Sequence, residues 1–419
     1  MNRPSPTFHA ARLVCLALLI LGQPLLAASG HEEFELREDP NLGLSALLDS
    51  TLAHHPEAVL IQAQGKTAQA ESVYADRWFP DTLQVDGLYL SDRSFDDIGA
   101  RESEVALSFP LWLPGEKRAQ SELGEAMSAA QASREKAFRW GVSGQLRKQL
   151  WTLKLARRQW ELALDQEQRL EQMLGQADAL AEAGDLSRAD QLATLQELAL
   201  WRSDTLELEA AYQDAVREYR VLSGGEVVPV DISEQLSRKQ EIATDHPALL
   251  MALDEVVAAG ASVEVAWQAA NVRPSVNVFW RGFRGDRTTP DVDALGLAFA
   301  VPMGRSPRRG PESARAGEEL ASAEAGLIDL KRKLELALHE ARHLLHTTEL
   351  QLENSKVMVE AASERHRLDK VAFELGEFSL REWLRRLSQT REIERSHEIL
   401  LIQQGAAIAS YNQAVGETP

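Results

Sequence analysis

The sequence predicts a mostly α-helical chain with a small β part, in which one helix–strand–strand–helix–helix module is used twice. Three observations predict it. Residues 115–183 and 312–375 contain no proline, and each run closes on a turn of the same kind, Ala183-Gly184-Asp185-Leu186-Ser187 or Leu375-Gly376-Glu377-Phe378-Ser379. The two turns lie 192 residues apart, and other marks recur at nearly that spacing. Each run also follows two short stretches in which apolar and polar residues alternate.

The first thirty residues stand apart from this plan. Arg3 and Arg12 precede an apolar run from Leu13 to Leu21, and Pro24 and the small residues Ala27, Ala28, Ser29 and Gly30 follow. The apolar run is too short to cross a bilayer, so the order predicts a secretory signal peptide over 1–29. Cys15, the single cysteine, lies inside the run after Arg12-Leu13-Val14 and lacks the small preceding residue that lipoprotein processing needs. A mature chain without cysteine offers neither disulfides nor thiolate metal ligands. Loss of Arg3 and Arg12 takes the formal net charge from −19 to −21. That acidity argues against nucleic acid as a partner and suits a surface or channel that favours cations.

After an N-terminal segment, 30–41, the sequence divides into a first unit at 42–224, a linker at 225–244 and a second unit at 245–417. His55-Pro56 answers His246-Pro247, Pro80 answers Pro274, and Phe109-Pro110 answers Val301-Pro302. Tyr219 and Gly224 answer Tyr411 and Gly416, so the offsets stay between 191 and 194. Solenoid repeats run to roughly 20–50 residues, so this period implies duplication of one large module.

Within the first unit, Leu44–Arg77 is expected to be helical, broken at His55-Pro56 and stopped by Pro80. Strands are expected at 83–91 and 104–113, then at 275–283 and 294–301 in the second unit, from period-two alternation. Leu295, Leu297, Phe299 and Val301 share one face, as do Val105, Leu107 and Phe109, and Val276, Val278 and Trp280. The alternation changes phase near Gly87, where a bulge is expected. Long helices follow over 115–183 and 311–375, each about 100 Å at 1.5 Å per residue. Their apolar residues step by three and four, at Leu146, Leu150, Leu153, Ala156, Trp160 and Leu164, and at Leu327, Leu330, Leu334, Leu338, Ala341 and Leu345. That is a coiled-coil seam. The antiparallel partners are 186–222 and 379–415, giving helical hairpins over 115–224 and 311–416 with tips at Gly184 and Gly376. The helices 44–77 and 247–271 complete the far ends of the arms.

Strands of this length with one apolar face suit a transmembrane barrel, and aromatic residues flank them at Trp78, Phe79, Tyr89, Trp112, Trp280 and Phe283. Four strands cannot close a barrel, and an open edge in lipid leaves backbone groups unpaired, so several chains must share one.

Taken together, the signal, the doubled module, the proline after each strand pair and the Gly-acid-apolar-Ser turns resemble the TolC family of outer-membrane efflux proteins, over roughly 42–417. Pro110-Leu111-Trp112-Leu113-Pro114-Gly115-Glu116-Lys117-Arg118 is similar to the strand exit of the branch that exports cobalt-zinc-cadmium and copper-silver type metals, with Glu116 inserted before the basic pair. Gly296-Leu297-Ala298-Phe299-Ala300-Val301-Pro302, with Arg305, Arg308 and Arg309 after it, looks like the same branch. The resemblance implies a homotrimer whose 3 × 4 = 12 strands close one barrel in the outer-membrane lipid, above a periplasmic helical tunnel. It implies a passive duct for heavy-metal cations, without catalysis or cofactor, whose hairpin tips meet a periplasmic adaptor and an inner-membrane pump of the resistance-nodulation-division type. Drugs or polypeptides of type I secretion are alternative cargoes.

A different class is a periplasmic coiled-coil scaffold or a zinc hydrolase, since His339-Glu340-Ala341-Arg342-His343 matches H-E-x-x-H. With His346 the three imidazoles form one helix face, which is either a weak metal contact in a tunnel or a solvated flank. At the tips, Asp185 and Glu377 are either simple helix caps or, where chains converge, an acidic ring around an aperture. Leu186 and Phe378 are the expected adaptor contacts, as exposed apolar residues without a core. Gly184, Ser187, Gly376 and Ser379 shape the turns.

Overall fold

The computed structural model describes residues 36–182, 187–269, 272–304 and 306–419. The expected signal peptide and the tip residues Gly184, Asp185 and Leu186 lie outside the described residues. In chain order the elements are β1 (Arg37–Asp39), α1 (Leu44–His54), α2 (Glu57–Ala75), β2 (Gln84–Ser91), β3 (Arg101–Pro110), α3 (Glu116–Glu182), α4 (Arg188–Ser223), β4 (Val227–Pro229), α5 (Pro247–Ala269), β5 (Ser275–Arg284), β6 (Val292–Ala300), α6 (Arg309–Glu374) and α7 (Leu380–Ala414). The order helix, two strands, long helix and returning helix thus occurs twice.

Heptad spacing makes the long helices pair. Leu334, Leu338, Ala341, Leu345, Thr348, Leu352 and Ser355 are buried in steps of four and three, which keeps one stripe of α6 against α7. On α3 the buried stripe begins as expected at Leu146, Leu150, Leu153 and Ala156, then passes through Ala163 and Gln166 to Leu170. Where both hairpins meet the linker, Arg147 on α3 is nearly buried and fully used. Its guanidinium grips both oxygens of Glu234 at 2.8 and 2.6 Å, and donates to Gln413 Oε1 at 2.6 Å and the Glu417 carbonyl at 2.8 Å. Beside this clip His246 is fully buried with its ring against Trp140 at 4.9 Å, and burial holds its pKa below the ordinary imidazole value. Gly416, at φ +87°, lies so close that a Cβ there would stand 2.7 Å from the ring.

Several expected details are corrected. The strand expected at 104–113 runs from Arg101 to Pro110: after a last cross-strand bond from the Leu111 amide to the Pro274 carbonyl at 2.9 Å, the Leu113 amide donates to Glu116 Oε2 at 2.9 Å, turning the chain into α3. The strand expected at 294–301 starts at Val292 and leaves Val301 outside. Helix α6 begins at Arg309 rather than 311, with Pro311 in the first turn, where a missing amide hydrogen costs nothing. The bulge expected near Gly87 is absent: β2 pairs with β3 without interruption from Gln84↔Ser108 to Ser91↔Arg101. Strands β1 and β4, a parallel pair from the N-terminal segment and the linker, were not expected.

Candidate functional site

The sheet runs β2-β3-β5-β6 with antiparallel neighbours throughout. Register decides which residues share a face, because directly opposed residues in antiparallel strands point the same way. Val85 opposes Leu107; Val105, Leu107 and Phe109 oppose Trp280, Val278 and Val276; these oppose Leu295, Leu297 and Phe299. All four strands therefore contribute to one apolar face, and it is open: Leu295 is 83% exposed, Phe299 73% and Val85 73%. The opposite face carries Gln84, Ser108 and Asn277 in one row, then Asp86, Ala106, Phe279 and Gly296, then Leu88, Glu104, Arg281 and Ala294. Arg281 is ion-paired to Glu102 and lies 4.0 Å from Glu104 on this polar face. Gly296 is required there, since a Cβ would stand 2.3 Å from the Phe279 ring that lies across it.

The phase change near Gly87 has its explanation in this register. At the loop end Leu88 and Leu90 fall on the polar face, beside Glu104 and Glu102, while the first face ends in a row of Tyr89, Ser103, Gly282 and Asp293 and then one of Ser91, Arg101 and Arg284. Strands β2 and β6 each have one neighbour, so both outer edges of the sheet are unpaired. The loops joining the strands are tied together by Arg287–Asp97 at 2.7 Å and Arg101–Asp291 at 2.6 Å. Among the described residues no helix is long and apolar enough to cross a membrane.

At the opposite end of the sheet one buried carboxylate joins the two halves. Glu116, 3% exposed, accepts from Arg273 Nε at 2.9 Å and Nη2 at 2.5 Å as well as from the Leu113 amide. Arg273 Nη2 also reaches Tyr74 Oη at 3.5 Å, and that hydroxyl donates to the Pro80 carbonyl at 3.0 Å. The residue that interrupts the strand-exit motif is thus the residue that anchors it. Sequence reasoning noticed the insertion and missed its partner 157 positions away.

The second hairpin turn is built as its composition suggests. Gly376, at φ +75°, lets its own amide donate to the Phe373 carbonyl at 2.9 Å and the Glu377 amide donate to the Ala372 carbonyl at 3.0 Å, closing α6 with a Schellman motif. Ser379 then caps α7, its hydroxyl accepting from the Glu382 amide at 3.4 Å. Glu377 is exposed. Phe378, expected to stand exposed, is half-buried: it packs on Phe373 at 6.4 Å with the Arg386 guanidinium 4.7 Å above its ring. Behind it, Phe373 stacks on Trp383 at 5.4 Å and Trp383 on His366 at 5.3 Å. Asp369, 6% exposed, receives Arg386 at 2.7 Å and has Arg365 at 3.8 Å. Glu382 takes Arg385 and Arg386 at 2.7 and 2.8 Å, and these cations pull its pKa down to about 2. In the first turn Ser187 is exposed and its carbonyl accepts from the Gln191 amide at 3.2 Å.

His339, His343 and His346 are all exposed on α6, away from the Leu338–Ala341–Leu345 stripe. Among the described residues no three His, Cys, Asp or Glu side chains come together in a way that could hold a metal ion.

No protein-family model and no curated protein matches the sequence. The likeness is to solved structures. The outer membrane protein VceC of Vibrio cholerae has a TM-score of 0.72 at 15% identity, over 90% of this chain and 96% of that one. The open state of the Neisseria gonorrhoeae MtrE outer membrane channel gives 0.68 at 14% identity, over 91% and 90%. The Campylobacter jejuni CmeC outer membrane channel gives 0.66 at 14% identity, over 97% and 94%. At these identities the likeness establishes the fold, and the chain has the fold of these outer membrane proteins.

Proposed function

We propose that the chain is a TolC-type outer-membrane duct of a tripartite efflux system. Three copies close their four-stranded sheets into one barrel of twelve strands, and the paired helical hairpins carry the passage through the periplasm. One observation carries this reading: a single apolar face, open across all four strands, on a sheet with two unpaired edges. Either feature alone invites aggregation in water. Lipid against the face and a further copy at each edge remove both problems at once, which a soluble scaffold does not. The fold shared with outer membrane channels supports the same reading.

Under it the turns at 184–187 and 376–379 form the end farthest from the membrane. Gly184, Asp185, Leu186, Ser187, Gly376, Glu377, Phe378 and Ser379 meet a periplasmic adaptor, and an inner-membrane pump of the resistance-nodulation-division type supplies the energy. Asp185 and Glu377, six carboxylates in a trimer, favour cations at that aperture. The duct is passive and needs no cofactor. Heavy-metal cations are the proposed cargo, supported by the strand-exit resemblance and the net charge of −19. His339, His343 and His346 are at most weak contacts along the way.

Two measurements test this. Membrane fractionation with cross-linking is expected to recover a trimer in the outer membrane; a soluble monomer overturns the duct. A deletion strain is expected to lose tolerance to zinc, cobalt, cadmium or copper. Unchanged metal tolerance with lost drug tolerance replaces metals by drugs as the cargo and leaves the duct standing.

A further inference from the structure

The basic residues of the strand-exit segments have no part in the duct described so far, and the sheet places them together. Pro110, Ser275 and Ala300 are in register, so β3 and β6 leave the sheet at the same end, with one strand between them. Lys117 and Arg118 follow the first exit within eight residues of Pro110, and Arg308 and Arg309 follow the second within nine of Ala300. Lys117 and Arg308 are exposed and have no ion-pair partner among the described residues. Arg118 pairs with Glu122 at 2.8 Å, yet its side chain stays 84% exposed. Arg309 is held over the Trp267 ring at 3.7 Å. Glu116, the acid next to Lys117, is buried and committed to Arg273, and the nearest acid to Arg308 and Arg309 is Glu312, exposed in the first turn of α6.

The two ends of the sheet differ in sign. Over residues 76–83, 111–118, 272–274 and 301–309, with 305 left aside, the helix-side links carry six Lys and Arg against three Asp and Glu. The loops 92–100 and 285–291 at the other end carry two against five. In a chain of net charge −19 a positive belt at one end is a departure from the average, and it abuts the apolar face. Apolar side chains stand out beside it: Trp78 is 88% exposed, Met303 99% and Val301 71%. An aromatic and aliphatic fringe with cations next to it is the composition that seats at a lipid interface.

We infer that this end of the sheet, where β3 and β6 run out toward the helices, and not its unpaired outer edges, is a binding surface for anionic phospholipid headgroups. Lys117, Arg118, Arg308 and Arg309 take the headgroup phosphates of the leaflet nearer the helices, while Trp78, Val301 and Met303 enter the interface beside them. The site fixes how deep the sheet sits, and it rests on the membrane reading above. Two exposed cations without an ion-pair partner among the described residues and two oriented guanidiniums suit clustered phosphates at a surface better than a single deep pocket would.

The test uses the purified full chain with vesicles of phosphatidylcholine alone and of phosphatidylcholine mixed with phosphatidylglycerol. At low salt, four cations near an anionic surface are expected to give a preference for the mixed vesicles on the order of a thousandfold, reduced by added salt. The variant Lys117→Gln/Arg118→Gln/Arg308→Gln/Arg309→Gln is expected to lose that preference and to insert into phosphatidylcholine as the parent does. Lys117→Gln/Arg308→Gln, which removes only side chains without an ion-pair partner, is expected to lose about half of it on a logarithmic scale. Equal partition of the parent between the two vesicles overturns the site, as does a preference that survives the fourfold change. A parent that enters neither vesicle overturns the membrane reading, and the site with it.

Discussion

The two helical hairpins are alike in length and in the sequence of their turns, yet the halves nearest their tips are held together differently. In the first, Gln166 and Thr205 are buried as well and Arg202 pairs across the hairpin with Glu167 and Glu171, but among the described residues those exposed by 2% or less between α3 and α4 are Ala163, Leu170, Thr194 and Leu198. The positions 192 residues later are Ser355, Ala362, Arg386 and Thr390, and the heptad line through them brings Asp369 into the seam. Ser355 there meets His397 Nδ1 at 2.8 Å, Arg365 reaches Thr390 Oγ1 at 3.4 Å, and Asp369 meets Arg386. A seam sealed mainly by leucine and alanine gains stability by removing apolar area from water, and that gain involves no titrating group. A seam of ion pairs and hydrogen bonds gains little net stability, and each half of it becomes a liability when the other leaves. Two arms with one backbone plan thus differ in what each seam depends on, and the second depends on a buried carboxylate keeping its cation.

The largest effect separating the arms is expected from apolar truncation. Leu170→Ala removes a fully buried side chain and is expected to cost about 2–5 kcal/mol, while Thr390→Ala, which loses hydrogen bonds at the matching level of the second arm, costs roughly 0.5–1.5 kcal/mol. Urea unfolding of the two variants measures both. Similar costs would mean that the two seams are alike in kind after all.

Next in size is the loss of one ion-pair partner. Arg386→Ala leaves the Asp369 carboxylate buried with only Arg365, at 3.8 Å, to face it. Hydrogen exchange across 362–390 is expected to speed up while 163–205 holds its protection. Asp369→Leu added to Arg386→Leu should restore the slow exchange, because two apolar groups need no partner. Faster exchange in both arms would show that the tip is one cooperative unit and would erase the contrast.

How much of this was legible follows from the kind of signal each part leaves. The hairpins, the second turn and the repeated order of elements were readable because heptads, capping residues and a period near 192 are written in neighbouring positions. Strand limits were displaced because Leu111, Leu113 and Val301 prolong the alternation past Pro110 and Ala300, where the strands end, the Leu111 amide still reaching across to the Pro274 carbonyl at 2.9 Å. The β1–β4 pair left no trace, since Arg37-Glu38-Asp39 neither alternates nor is apolar. Partnerships such as Glu116 with Arg273 and Arg147 with Glu234 depend on three-dimensional neighbours that spacing does not encode. The ionic seam lies between these cases. A charged residue on a long helix reads as solvated face, yet Leu334, Ala341, Thr348, Ser355, Ala362 and Asp369 follow one another at intervals of seven, so the sequence did place an acid on the buried line.

The finest expected difference is in pH response, and its sign can be worked out. His366 is stacked on Trp383, and burial, with Arg391 beside it, lowers its pKa below the ordinary 6.5; Lys370 acts in the same direction, while Glu394 and Asp369 oppose it. Because the folded arm prefers the neutral ring, its contribution is whole above about pH 6.5 and is lost as pH falls below that value, where the unfolded chain takes the proton first. Glu382 acts later: its contribution is whole above the ordinary glutamate value of 4.5 and is lost as pH falls toward about 2. Between about pH 6.5 and 4.5, then, His366 is the group that loosens the second arm, and its counterpart in the first, Leu174, does not titrate. Exchange rates corrected for intrinsic chemistry should rise over 362–390 on going from about pH 7.5 to about pH 5.5, with no change over 163–205. His366→Phe keeps the stack on Trp383 and should abolish the rise. A rise that survives that substitution would assign the acid sensitivity to the surrounding ion pairs instead, and leave the aromatic stack as packing alone.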